Sequence, residues 1–341
     1  MTQILAEQIA QDFIEFLDEF HRYPQPYDDE MDAEFYEQYA RVLHEQLEEK
    51  DGWKKYLYGP DGTKRPTFAP SSAGKDERQL YAKAIYGRKG QDERPPNRNQ
   101  RDWTGLGSQV GAYIQREVML AERHFEKLTG KAPRFRFERT DRGEPAFEHF
   151  VKKIHEVEHN GEKFGLNGLP DGILHYITDD GEILRVGLEV KSFQKSYTEF
   201  KKQDKAKLDH ELQTHVYNEM YDLDYTIIVY HLTYGADWEY EFGRTKAFGR
   251  YFPKESRVEL LDKFARVTKA WRTKTPPAIE LEGWKYNDYK TAIAKEMDDE
   301  EFELLKAQVR RAQRSNLPAW KKAAFYDAFE FIKEVREKEA E

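Results

Sequence analysis

Apolar residues recur at helical spacing near the start of the chain, where Leu5, Ile9, Phe13, Leu17 and Phe20 fall on one face. Residues 1 to about 50 are therefore predicted helical. Residues 51–62 carry Gly, Pro and Asp and read as a turn-rich link. Helices are predicted over Glu77 to Tyr86 and Leu106 to Thr129. The polar stretch between them, residues 87–101, reads either as a loop over a substrate or as plain disorder. The spacing then shifts from helical to alternating. Pro133 to Glu138, Asp171 to Tyr176, Ile183 to Phe193 and Tyr225 to Tyr234 read as strands, with a helix over Asp209 to Tyr221 before the last of them. Thr178-Asp179-Asp180-Gly181 is a turn signal between two apolar runs, so the strands on either side of it form a hairpin. An amphipathic helix follows over Arg257 to Lys269, and the chain from Asp299 onward is helical again.

This order predicts an α/β protein in which a mixed central sheet is flanked by helices, with helical additions at both ends. The divisions expected are residues 1–62 as an N-terminal extension, 63–295 as the main domain and 296–341 as a C-terminal helical region. At 341 residues there is ample chain for a sizeable core. No apolar run approaches the roughly 20 residues needed to cross a bilayer, and the first residues lack the basic start and apolar stretch of a secretory signal. The expectation is a protein with no membrane partner, working in a reducing cytoplasm. The chain holds no cysteine, so disulfides and thiolate-ligated clusters are excluded. There is no Walker-type glycine loop, no Gly-x-Ser-x-Gly elbow and no zinc-peptidase histidine pair. His210 and His215, five apart, read as helix-surface or packing residues.

The candidate chemistry lies in the hairpin. Gly168-Leu169-Pro170-Asp171-Gly172 places a carboxylate at a strand bend, and the next strand carries Glu189-Val190-Lys191. Side chains two apart on a strand face the same way, so Glu189 and Lys191 project together while Val190 turns to the apolar side. Asp171 and Glu189 are candidate ligands for a hard divalent cation, Mg²⁺ or Mn²⁺, with the Val190 backbone carbonyl as a third oxygen. Lys191 is placed to orient or deprotonate a water and to offset negative charge in a transition state. In the following helix Gln213 and Tyr217, four apart, share a face.

Strand, strand, helix with Gln-x-x-x-Tyr and then strand is the core order of the PD-(D/E)xK nucleases of the RecB and lambda-exonuclease type. The chain resembles them at Asp171, Glu189, Lys191, Gln213 and Tyr217. The resemblance implies a restriction-endonuclease-like core and metal-dependent hydrolysis of DNA, with Gln213 and Tyr217 contacting a phosphate or a metal-bound water. It implies a phage or prophage exonuclease serving recombination or replication, a role in which a recombination or single-strand-binding protein is the candidate partner. A structure-specific endonuclease of the same fold, or an inactive nuclease fold that binds DNA or protein, stays open beside it.

Two further segments are similar to the family. Thr67 to Tyr81, with Phe68-Ala69-Pro70-Ser71 and Arg78, looks like the entry segment of RecB-like nucleases, with Asp76 standing where iron-sulfur members have a cysteine. Trp284 to Lys290 resembles the region of their remaining cysteines, so this is expected to be a cluster-free relative. The resemblance also implies a helix ending Gly-x-x-x-His or Gly-x-x-x-Glu ahead of the hairpin. Here Gly107 leads to Gly111, which has no side chain to offer, and Gln115 and Glu117 are the nearest candidates to complete the metal site.

A net charge of -9 argues against a generally basic nucleic-acid coat. Local clusters matter more than the total. Lys195, Lys201, Lys202, Lys205 and Lys207 follow the proposed site and are candidate phosphate contacts; Arg310, Arg311, Arg314, Lys321 and Lys322 form a second basic segment.

Overall fold

The computed structural model describes residues 2–49, 62, 64–93, 97–233 and 243–340. The expected link over 51–62 lies outside the described residues except for Gly62, as do Pro95 and Pro96 of the polar stretch and the end of the last expected strand.

Thr2 caps α1, Gln3–Phe20, by accepting from the Leu5 N–H. Asp28 caps α2, Asp29–Glu48, whose first turn carries Asp29, Glu30 and Asp32 at the positive end of the helix dipole. A two-residue strand β1, Thr67–Phe68, precedes α3, Glu77–Tyr86. Asp76, the position expected from the resemblance to hold a cysteine elsewhere, serves here as the N-cap of α3, accepting from Gln79 N–H. The next helix, α4, runs Arg98–Thr129 and is longer than its apolar pattern predicts. Its first turns are exposed, so they carry no burial signal; Asn97 caps them and Gly130, at φ 75°, ends the helix.

The strands that follow are β2 (Phe135–Phe137), β3 (Lys153–His159), β4 (Glu162–Gly168), β5 (Gly172–Ile177) and β6 (Ile183–Phe193). Two helices, α5 (Tyr197–Lys202) and α6 (Leu208–Tyr221), lead to β7 (Tyr225–Leu232) and β8 (Thr245–Arg250). The chain continues through α7 (Lys254–Thr273), α8 (Lys290–Glu296), α9 (Asp299–Arg314) and α10 (Ala319–Ala340).

The larger sheet has the order β2-β5-β6-β7-β8. Within it only β6 and β7 are parallel, joined by the α5–α6 crossover; the other neighbours are antiparallel. This mixed sheet with helices on its faces is a restriction-endonuclease-like core, as the resemblance implies. A second sheet, β1-β4-β3, is not predicted by that pattern. Its β3–β4 hairpin turns at Asn160 and Gly161, both at positive φ, the Asn-Gly turn that matches strand twist.

The register of β6 divides its residues between two environments. Leu184, Val186, Leu188 and Val190 point into the main core with Phe13 and Phe16 of α1 and Ile114 and Val118 of α4. Arg185, Gly187, Glu189 and Lys191 face the opposite side, toward α6. The open edge of β8 is covered by α1, a common way to shield unpaired strand groups. The Gln3 side chain donates to Gly249 O at 2.9 Å and accepts from Tyr251 N–H at 3.1 Å, taking the place of a neighbouring strand. A Cβ at Gly249 would lie 1.7 Å from Ala6 O, so only glycine permits this approach.

The C-terminal helices have their own core, including Trp284, Ile293, Leu305 and Ile332, into which Ala82 of α3 also packs. Arg78 of α3, 1% exposed, ties the parts together by donating to Pro277 O at 2.9 Å and to Glu301 at 3.1 Å. Among the described residues no helix is long and apolar enough to cross a membrane.

Candidate active site

Asp171 sits at the bend between β4 and β5, which belong to different sheets. The bend is held from several directions. Tyr217 Oη donates to Leu169 O at 2.6 Å, and Tyr221 Oη donates to Val151 O at 2.7 Å and Gly168 O at 3.3 Å. A Cβ at Gly168 would come within 2.7 Å of Pro70 and 2.8 Å of the Tyr217 ring, so the Phe68-Ala69-Pro70-Ser71 segment, the bend and α6 pack without room for a side chain there. The Tyr217 hydroxyl, driven far up in pKa by burial first and then by the Glu189 and Asp171 charges, is a neutral donor at a structural position. Its side chain is buried, and it donates to the backbone rather than to the acids.

From this bend the Asp171 carboxylate reaches the neighbouring strand: the Val190 N–H donates to Asp171 Oδ2 at 2.7 Å. On a strand the N–H and C=O of one residue point to the same edge. The Val190 carbonyl therefore also faces the edge where β5, whose pairing ends at Gly172 opposite Leu188, no longer covers β6. Glu189, 2% exposed, pairs with Lys191 and accepts from Gln213 Nε2 at 2.8 Å. Lys191 Nζ donates in turn to Gln213 Oε1 at 3.1 Å. Gln213 thus bridges the acid and the ammonium with its two amide ends, while Glu189 Oε2 is buried with no hydrogen-bond partner among the described residues.

The electrostatics follow from this enclosure. Burial, then the Glu189 charge, hold the Asp171 carboxyl well above the ordinary carboxylate range, against the Val190 N–H and Lys191. Burial raises Glu189 as well, opposed by Lys191. Two acids are thus brought together with one ammonium group and one unpartnered oxygen. An all-oxygen set of this kind, with excess negative charge, suits a hard divalent cation. Among the described residues no three His, Cys, Asp or Glu side chains are grouped closely enough to hold a metal; two carboxylates and a backbone carbonyl are what these residues could offer one.

The two remaining candidate ligands part ways. Gln115, 4% exposed, turns to the site and donates to Asp171 O at 2.9 Å. Glu117 is buried on another face of α4 and pairs with His21 Nε2 at 2.8 Å, away from Asp171. A Cβ at Gly111 would meet nothing within 4 Å.

Two residues near the site carry no sequence signal that assigns them to it. Glu148 accepts from the same Gln115 amide at 3.3 Å, and its charge helps raise Asp171. Its position in a short 3₁₀ turn has no period. His210, expected as a surface or packing residue, is half-buried with Nδ1 2.7 Å from Tyr230 Oη. Burial first, then Lys191 and Lys207, bring its pKa down to about 4. His215 does pack, its ring stacked on Phe252 at 4.4 Å. Of the lysine cluster, Lys195, Lys201, Lys202, Lys205 and Lys207 are exposed on and around α5, with Lys195 3.5 Å from Glu199 and Lys201 over the Tyr197 ring. Trp284, of the segment resembling the iron-sulfur region, is buried in the C-terminal core.

No family model and no curated protein matches the chain. Solved structures do resemble it in fold. The crystal structure of SSO0001 is 12% identical, with a TM-score of 0.35, over 73% of this chain and 93% of that one. The alkaline exonuclease LHK-Exo from Laribacter hongkongensis is 11% identical, with a TM-score of 0.34, over 61% of this chain and 89% of that one. Its complex with dAMP gives 11% and 0.32, over 62% and 89%. These are distant likenesses, and at this overlap they carry no argument.

Proposed function

We propose that this chain is a metal-dependent deoxyribonuclease that cleaves phosphodiester bonds at Asp171, Glu189 and Lys191, and that it acts as an exonuclease. The reading rests above all on one observation: the Glu189 Oε2 atom, buried without a partner among the described residues, stands on the strand beside the Asp171 carboxylate, with the Lys191 ammonium group on its other oxygen.

Asp171, Glu189 and the Val190 carbonyl would hold Mg²⁺ or Mn²⁺. When bound, such an ion polarises the phosphoryl group and makes water more acidic. Lys191 offsets the negative charge that grows on the phosphate oxygens as the bond breaks. Gln213, bonded to both Glu189 and Lys191, keeps the acid and the ammonium group in register and limits their rotation. Tyr217 acts at one remove, by bracing the backbone that presents Asp171. The exposed lysines from Lys195 to Lys207 would take the phosphate backbone of the DNA, and the fall in affinity with salt measures that contribution.

The test is digestion of linear and covalently closed circular duplex with Mg²⁺, with Glu189→Gln alongside. Loss of the linear duplex with the circle intact, abolished in Glu189→Gln, is the expected result. Opening of the circle assigns a structure-specific endonuclease instead. Binding of DNA with neither substrate cut assigns a binding module.

A further inference from the structure

Glu148 lies far in sequence from the strand-strand-helix motif, in the 3₁₀ turn Glu148–Val151 that follows Phe147. Its φ is 44°, in the left-handed region that residues with a side chain rarely adopt. Backbone strain of this kind persists where surrounding contacts over-determine it. Two of those contacts lead to the Asp171 segment. The Glu148 N–H donates to Pro170 O at 2.8 Å, immediately before Asp171 in the chain. Its Oε1 accepts from Gln115 Nε2 at 3.3 Å, and that same amide donates to Asp171 O at 2.9 Å. Its Oε2 accepts from Tyr39 Oη of α2 at 3.0 Å, so the N-terminal helices help set the carboxylate beside the site.

The charge count gives this arrangement its meaning. Two acids, Asp171 and Glu189, share one paired ammonium group, Lys191; the charge of a third, Glu148, reaches Asp171, and Glu189 Oε2 is buried without a partner among the described residues. Unbalanced negative charge in a buried site is costly unless a cation answers it. Glu148, held by Tyr39 and Gln115, is set back from the two inner acids, and among the described residues no three such groups converge to direct ligation. Small divalent ions keep several of their waters when bound. We propose that Glu148 is a third anionic group of the cation site, holding the hydrated ion through its water shell from the Asp171 side.

This inference rests on the cation site of the proposed function, so the experiment separates the two. Mn²⁺ alone, without DNA, is titrated calorimetrically into the full chain, Glu148→Gln, Glu148→Gly and Glu189→Gln, with melting curves in EDTA checking that each folds. Glu148→Gln keeps the shape and loses the charge; Glu148→Gly suits the backbone angle and loses the side chain. The expected result is Mn²⁺ affinity lowered about tenfold or more in both, within the range that outer groups contribute at metal sites. Native affinity in Glu148→Gln, with affinity lost in Glu189→Gln, overturns the inference and leaves the nuclease reading standing. Loss in Glu148→Gly alone also overturns it, since backbone rather than charge is then responsible. Affinity unchanged in Glu189→Gln, or no Mn²⁺ binding by the native chain, overturns both readings.

Discussion

The Val190 N–H donates to the Asp171 Oδ2 atom at 2.7 Å, joining the strand that carries one acid to the side chain of the other. The bond fixes the Asp171 carboxylate against the edge of β6 and aligns the Val190 carbonyl with the same edge. It offsets only part of the cost of burying Asp171 beside Glu189, because burial and the second negative charge still raise the Asp171 pKa well above its usual value.

Asp171→Asn should therefore stabilise the cation-free protein while removing its DNA-cleaving activity. A carboxylate raised in the folded state favours folding as pH falls through its folded pKa, with no further gain below the unfolded value of about 4. Wherever the pair is ionised it destabilises, and the neutral amide keeps an acceptor for Val190 N–H. Calorimetry in EDTA at neutral pH should show a melting temperature higher by about 2 °C or more. An equal or lower value would mean that the acids do not oppose each other.

Tyr217→Phe leaves Leu169 O without its donor, at a cost of about 1 kcal/mol in urea unfolding. Because the phenol braces the bend rather than contacting the acids, DNA hydrolysis should fall by a small factor only. A loss as deep as that of Glu189→Gln would assign the hydroxyl to the chemistry itself.

His215, stacked on Phe252, has its pKa brought down to about 4 by burial and then by Arg257. Its unfolded value lies near 6.5. Between these values the unfolded chain binds more protons, so stability is complete above the unfolded pKa and is lost as pH falls toward the folded one. The melting temperature of the native chain should drop more steeply between neutral pH and pH about 5 than that of His215→Leu. Parallel curves would show that the ring does not resist protonation.

Replacing Lys202, Lys205 and Lys207 together by Ala should flatten the dependence of DNA affinity on salt, by about 0.9 in logarithmic slope for each duplex phosphate that these lysines no longer neutralise. The three are exposed near the strand that carries Lys191. An unchanged slope places them outside the DNA path.

The elements with a strong period were legible in the chain. The strand period along Ile183 to Phe193 marks which face each β6 side chain takes, and so places Glu189 and Lys191 on one face with Val190 on the other. The Thr-Asp-Asp-Gly turn marks the hairpin, and helical spacing marks α1 and α6. Those signals are local, set by the repeat of a strand or a helix, and one sequence contains them in full. The exposed first turns of α4 and the two-residue β1 lacked such a signal, since they commit few residues to a core, and polar residues and glycines break the period of β3 and β4.

What only the tertiary structure decided is which residues from distant segments share the site. Gln115 and Glu117 stand two apart on α4, and the packing of that helix turns one to Asp171 and the other to His21. Tyr217 occupies the motif position suited to a phosphate contact, yet the close approach of β4 gives its hydroxyl to Leu169 O. Glu148 and Tyr39 bear on the acid pair from a strained turn and from an N-terminal helix, and no repeat in the sequence ties either to it. Periodicity tells a side chain which face it shares with its own element. Its partners across space depend on how the sheets and helices pack, and that is a property of the whole chain.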